Sequence, residues 1–239
     1  MNDINLPYIA DYYFSRRSMI NELKSALFSK RSWRSLGEYV GLGKRGRAAA
    51  MVDLSTTRKF IETRASHVSQ STLYGYLKTR AGTRFPELFE NPRMLESINI
   101  AKWQIWLACI SDLTVYIGAF ISRDSGLSNE KTRQLMQQIA NAVLDDIGVP
   151  EEAGVEFESA RNDYLARILE IDWGSIPDDE TAFSVSPDAL VKWSPIADEL
   201  KQRDEEIVEN SMRFRWIEVR RNVRELLDAP RIVRNTLDT

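Results

Sequence analysis

Apolar side chains recur at helical spacing along almost the whole chain. Ile20, Leu23 and Leu27 fall at i, i+3 and i+7 and predict a helix over 16–28. A second helix is expected after Asp53 or Ser55 as N-cap, ending near Arg80, with Phe60, Ile61, Ala65, Val68, Leu73, Tyr76 and Leu77 turned inward. Gly82, Pro86 and Pro92 interrupt the next stretch. A long helix then runs from Pro92, in its first turn, to Ser122. Ser128 caps a helix carrying Leu135, Met136, Ile139, Val143, Leu144 and Ile147, which Gly148 and Pro150 stop in the usual C-terminal order.

A further helix is predicted over 151–171, with Val155, Phe157, Tyr164, Leu165, Ile168 and Leu169 facing inward. Residues 172–186, DWGSIPDDETAFSVS, read as a loop in which AFSVS alone has strand character. SPDALVKW supplies one or two helical turns. The last helix spans 194–229, with Ser194 as cap and Pro195 at N1, and stops at Pro230. The expected class is all-α: an irregular or orthogonal bundle of six to eight helices, about 60–70% helical, with a long C-terminal helix. Three parts are expected: a basic N-terminal helical segment with a Gly-rich loop (1–47), a main helical domain (48–229) and a C-terminal tail (230–239).

One segment is apolar on every side. WQIWLACISDLTVYIGAFI, residues 103–121, holds 14 apolar residues in 19, enough to span a bilayer core. Asp112 lies in its middle, and a central aspartate costs roughly 2.5–3.5 kcal/mol on insertion scales. Gln104, Ser111 and Thr114 add to that load, so the segment reads as the buried central helix of a bundle. Asp112 is therefore the one carboxylate expected to be buried. Its expected partner is an arginine or the open end of a neighbouring helix, and the competing expectation is a carboxylate-based catalytic site around it.

The last helix carries two apolar stripes. Val208, Met212, Trp216, Val219, Val223 and Leu226 form one; Ile207, Phe214 and Ile217 form the other. One stripe serves the protomer's own core. The other is expected at a protein interface, with a homodimer as one outcome; the candidate interface residues are Phe214 and Ile217 together with Trp216 of the first stripe. Arg213, Arg215, Arg220, Arg221 and Arg224 would flank the contact and meet the acidic first half of an antiparallel neighbour.

Composition narrows the chemistry. One cysteine, Cys109, excludes an internal disulfide and a thiolate cluster. One histidine, His67, excludes HExxH and di-histidine metal sites. No GxSxG, Walker A or GxGxxG motif occurs, and GLGKRGR at 41–47 reads as a flexible basic loop. No DxDxDG loop is present, so neither metal nor cofactor is expected. His67 is placed on a polar helix face. Cys109 sits among apolar neighbours, where a thiol is a poor nucleophile.

Charge is segregated along the chain. Residues 1–80 carry 14 basic and 6 acidic side chains, whereas residues 145–209 carry 5 and 19. Such asymmetry suits a charged partner, or packing of the basic segment beside the acidic one. Arg16, Arg17, Lys24, Lys30, Arg31, Arg34, Lys44, Arg45 and Arg47 form the candidate anionic-partner surface. With Ile20, Leu23, Leu27, Phe28 and Trp33 inserted, they suit an anionic membrane surface. Nucleic acid is disfavoured by the acidic half and by the absence of any finger, RNP or basic-zipper pattern. The opening residues MNDINLPYIADYYFSRR lack a secretory signal pattern, which sets a cytoplasmic, or membrane-associated, expectation. By elimination, a non-enzymatic adaptor, assembly or regulatory factor acting through protein contacts is the leading expectation. A peripheral membrane protein and an Asp112-centred enzyme are the alternatives.

Overall fold

A computed structural model describes residues 49–237. The chain divides into two units, Met1–Gly46 and Arg47–Thr239, and the described residues belong to the second. They form α1 (Leu54–Ala81), α2 (Pro92–Ser125), α3 (Asn129–Ile147), α4 (Phe157–Glu170), α5 (Val185–Trp193), α6 (Asp198–Leu226) and α7 (Ala229–Leu237). Short 3-10 segments lie at Gly82–Phe89, Glu151–Ala153 and Glu180–Ala182. Among the described residues 82% are helical and none lies in a strand. The protein is all-α, as the spacing predicts.

Capping chemistry sets the helix starts. The Asp53 carboxylate accepts from the Thr56 amide at 2.7 Å, while the Thr56 hydroxyl accepts from the Asp53 amide at 3.2 Å. This reciprocal box satisfies two otherwise orphaned donors at the head of α1. Asn91 accepts from the amides of Arg93 and Met94, with Pro92 in the first turn of α2. Ser128 caps α3 through the Lys131 amide.

α2 is the hub. α1, α3, α4, α5 and α7 all pack against it, and every residue from Gln104 to Ile121 is buried. By length and composition α2 could cross a membrane, but 94% of its most apolar window is covered by the protein's own helices. An all-round apolar helix is accommodated here by a ring of other helices. The packing is close enough to demand a glycine. A methyl group on Gly118 would run into the Trp173 ring and would lie 2.8 Å from Met136 Cγ.

Several boundaries differ from the sequence expectation, each for a local reason. AFSVS forms no strand: a 3-10 turn ends at Ala182, Phe183 stacks on Trp216 at 4.6 Å, and α5 begins at Val185. Ser194 does not open the last helix. Its hydroxyl donates to Leu190 O at 2.6 Å, closing α5, and α6 starts four residues later after an uncapped Ala197. α4 starts at Phe157, not 151, which leaves Val155 90% exposed instead of inward. α6 ends at Leu226, because the Met51 amide donates to Leu226 O at 2.8 Å and Met51 O accepts from Asp228 at 3.0 Å. That short parallel bridge pulls Leu227 into extended backbone. Beyond it, Ala229–Leu237 forms α7, which takes in most of the 230–239 segment, with Ala229 and Ile232 fully buried.

Candidate functional site

Two places concentrate the candidate chemistry: the buried surroundings of Asp112 and the outward face of α6. Asp112 is fully buried. Its Oδ1 accepts from Arg167 Nη1 at 2.7 Å and from the Val185 amide at 3.2 Å, and its Oδ2 accepts from the Ser186 amide at 2.7 Å. Ser184, at the N-cap of α5, makes no side-chain capping bond. Asp112 fills that role from another helix, placing its carboxylate where the amides and the dipole of α5 favour negative charge. Both partners expected for it, an arginine and an open helix end, are present at once.

Arg167 also donates to the Ser111 hydroxyl at 2.9 Å and to Ala182 O at 3.2 Å. The Ser186 hydroxyl accepts from Trp216 Nε1 at 3.0 Å, which carries the network to α6. Burial pushes the Asp112 pKa up, while the Arg167 charge and the donors at Ser186 pull it back. This is the bonding pattern of a structural clamp joining α2, α4, α5 and α6. The surface near Arg167 holds a shallow depression of about 480 Å³ lined by Asp163, Ala166, Arg167, Glu170 and Ile171, and Asp112 does not line it.

Asp112 is absent from the electrostatic surroundings of His67, whereas Cys109 lies near both Asp112 and Ser186. His67 is half-buried on α1, and Arg64, Arg215 and Glu218 set its electrostatic surroundings. Burial lowers its pKa, with Arg215 and Arg64 acting in the same direction. Arg64, three residues before it on the same helix, is buried. Cys109 is fully buried, and burial raises its pKa well above the ordinary thiol value. The acidic loop at 178–180 is committed to local partners. Asp178 accepts two bonds from Arg224 at 2.9 Å and one from Tyr116 at 2.6 Å, Asp179 caps the Thr181 amide, and Glu180 lies 3.5 Å from Arg220. Among the described residues no three His, Cys, Asp or Glu side chains are placed to hold a metal.

The two stripes of α6 have separated. Val208, Met212, Trp216, Val219 and Val223 are buried against the core. Ile207, Phe214 and Ile217 are 73%, 72% and 58% exposed. At 100° per residue these three fall within an arc of about 80° nearly opposite the buried stripe. Trp216 belongs to the core stripe, not to the interface set in which the sequence placed it. It is 1% exposed, stacks on Phe183 and spends its indole N–H on Ser186. The other large exposed apolar residues among the described ones, Val149, Val155, Leu169 and Val185, are spread over other elements.

α6 is pinned to the body at both ends. In its acidic half, Asp204 accepts from Tyr76 at 2.9 Å and pairs with Arg80, both on α1. In its basic half, Arg224 grips Asp178, which Tyr116 of α2 holds from the other side. The Arg80 and Arg224 bonds hold the pKa values of Asp204 and Asp178 below the usual range. Sequence reading missed these ties, because each partner lies more than 40 residues away.

The basic candidates Arg16, Arg17, Lys24, Lys30, Arg31, Arg34, Lys44, Arg45 and Arg47 lie outside the described residues, as do the apolar residues proposed to insert beside them. No family model, curated protein or solved structure matches the chain.

Proposed function

We propose that the protein is a helical adaptor, assembly or regulatory factor without catalysis of its own, binding another protein through the outward face of α6. The observation that carries this reading is the exposure of Ile207, Phe214 and Ile217 together on one side of a pinned helix. Single exposed apolar residues are ordinary, whereas clustered ones rimmed by charge mark contact surfaces. Phenylalanine and isoleucine at the centre of such a strip, with arginine and glutamate around it, match the make-up of an interface core and rim. A helix pinned at both ends also loses little conformational entropy on docking.

The environment of Asp112 supports the same choice over an enzyme. A fully buried carboxylate bonded to a guanidinium and two helix amides does not line the depression beside Arg167, and the electrostatic surroundings of His67 are other residues. The test is photo-crosslinking in cells from a photoreactive residue placed at position 214, with exposed position 158 on α4 as control. Discrete protein adducts are expected from 214, absent from 158 and lost when Ile207 and Ile217 are both changed to Asp. Equal labelling from the two positions would overturn the reading.

A further inference from the structure

We infer that the occupant of the α6 face is a second copy of this chain, docked antiparallel along α6; this rests on the docking reading above and names its partner. The charge layout carries the inference. From Asp198 to Asn210 the helix holds six acidic and two basic side chains, and from Ser211 to Leu226 five basic and two acidic. Such a helix is complementary to itself only when the second copy runs the opposite way. Acidic residues at a helix start and basic ones at its end also suit the helix's own dipole, but that effect fades within the first and last turns. Glu206 and Arg213 lie mid-helix, beyond its reach.

Positions seven apart sharpen the pattern. On one flank of the exposed strip, positions 199, 206, 213 and 220 read Glu, Glu, Arg and Arg. In an antiparallel pair like flanks meet, so Glu199 faces Arg220 of the second copy and Glu206 faces Arg213 of the second copy. Glu199 and Glu206 make no ion pair among the described residues. Arg213 is held only by Glu209 and Asn210 of its own helix, and Arg220 only loosely by Glu180 at 3.5 Å. The same register sets Phe214 against Arg203 and Ile207 of the second copy, and Ile217 against its partly buried Leu200. Apolar contacts thus form the centre of the pair, and a guanidinium lies over the phenylalanine ring.

Light scattering on the full chain at about 50 μM tests this, since a contact of this size is expected to bind in the micromolar range. The expected mass is twice the 27.5 kDa of one chain. Phe214→Asp is expected to raise the dissociation constant by tenfold or more, with helix content by circular dichroism unchanged because Phe214 is exposed. Glu206→Arg alone is expected to weaken association about tenfold by setting like charges face to face, and Arg213→Glu likewise. The Glu206→Arg, Arg213→Glu double variant restores complementarity to itself and is expected to return to within about threefold of the parent. A chain mass of 27.5 kDa at that concentration, or a double variant no tighter than either single one, would overturn the second-copy inference. Adducts from position 214 of a mass other than twice the chain sink the second copy while sparing the docking reading, and no adduct at all sinks both.

Discussion

Among the described residues α2 and α6 are the two longest helices, at 34 and 29 residues, and they solve the same problem in opposite ways. Each carries more apolar side chains than one face of a helix can hide. α2 is ringed by five other helices, so even Gln104, Ser111, Asp112 and Thr114 are buried. α6 lies at the edge, buries one stripe and leaves Ile207, Phe214 and Ile217 in water. Their polar anchors differ in the same sense. α2 is tied by a carboxylate without solvent contact, α6 by ion pairs with partly exposed partners such as Asp178 at 35%. An apolar excess therefore means core or contact surface according to what surrounds it, and composition alone does not separate the two.

The largest effect is expected at the buried anchor. Asp112→Ala removes the acceptor for Arg167 and for the Val185 and Ser186 amides in one step. The two amides left without an acceptor cost about 1–3 kcal/mol each, and Arg167, 22% exposed, loses its partner with part of its charge in water, for a total of roughly 3–5 kcal/mol. Urea unfolding monitored by circular dichroism should show a loss of that size. A loss under about 1 kcal/mol would mean that the clamp contributes no more than a surface pair, and the contrast with α6 would fail.

Packing around α2 predicts the next effect. Gly118→Ala drives a methyl group into the Trp173 ring and Met136, and overpacking of this kind costs about 1–3 kcal/mol. Trp173 sits on the segment between α4 and α5, whose fold depends on Asn129 accepting from the Trp173 amide at 2.9 Å. Displacement of that ring should therefore appear in near-ultraviolet circular dichroism along with the loss of stability. An unchanged midpoint in urea would show that the ring can move aside freely.

How much of this contrast could be read from the chain depends on the range of the interactions involved. The helical class follows from local spacing, and Asp53, Pro92, Ser128 and Gly148 mark helix ends through contacts within four residues. The two stripes of α6 were legible for the same reason. Which stripe faces inward was legible only in part: Trp216 looks like an interface residue until Phe183 and Ser186 are seen beside it. Two of the failures share one physical cause: Leu227 is drawn out by Met51, and the Val185 and Ser186 amides of AFSVS bond to Asp112, 73 and 74 residues away. Long-range bonds overrode local propensity at both. At Ser194 two local roles compete, and its hydroxyl closes α5 through Leu190, four residues back, instead of opening the next helix.

The anchors of α6 give the smallest and most condition-dependent effect. Bonding to Arg224 and Tyr116 holds the Asp178 pKa below its ordinary value of 3.8. A carboxylate with a depressed folded-state pKa stabilises the fold fully above its unfolded pKa and loses that contribution as pH falls through the folded value. The loss should therefore begin near pH 3.8 and be complete below the lowered pKa. Because the carboxylate is about a third exposed, solvent screening keeps the contribution near that of an ordinary surface pair, about 0–1 kcal/mol at neutral pH. Asp178→Asn removes the titration while keeping an acceptor for Tyr116. The stability difference between parent and variant, measured in urea from pH 7 to pH 3, is expected to be small and constant down to about pH 4 and to shrink below it. A difference that stayed constant through pH 3, or grew as acid was added, would show that Asp178 does not hold the basic end of α6 by charge.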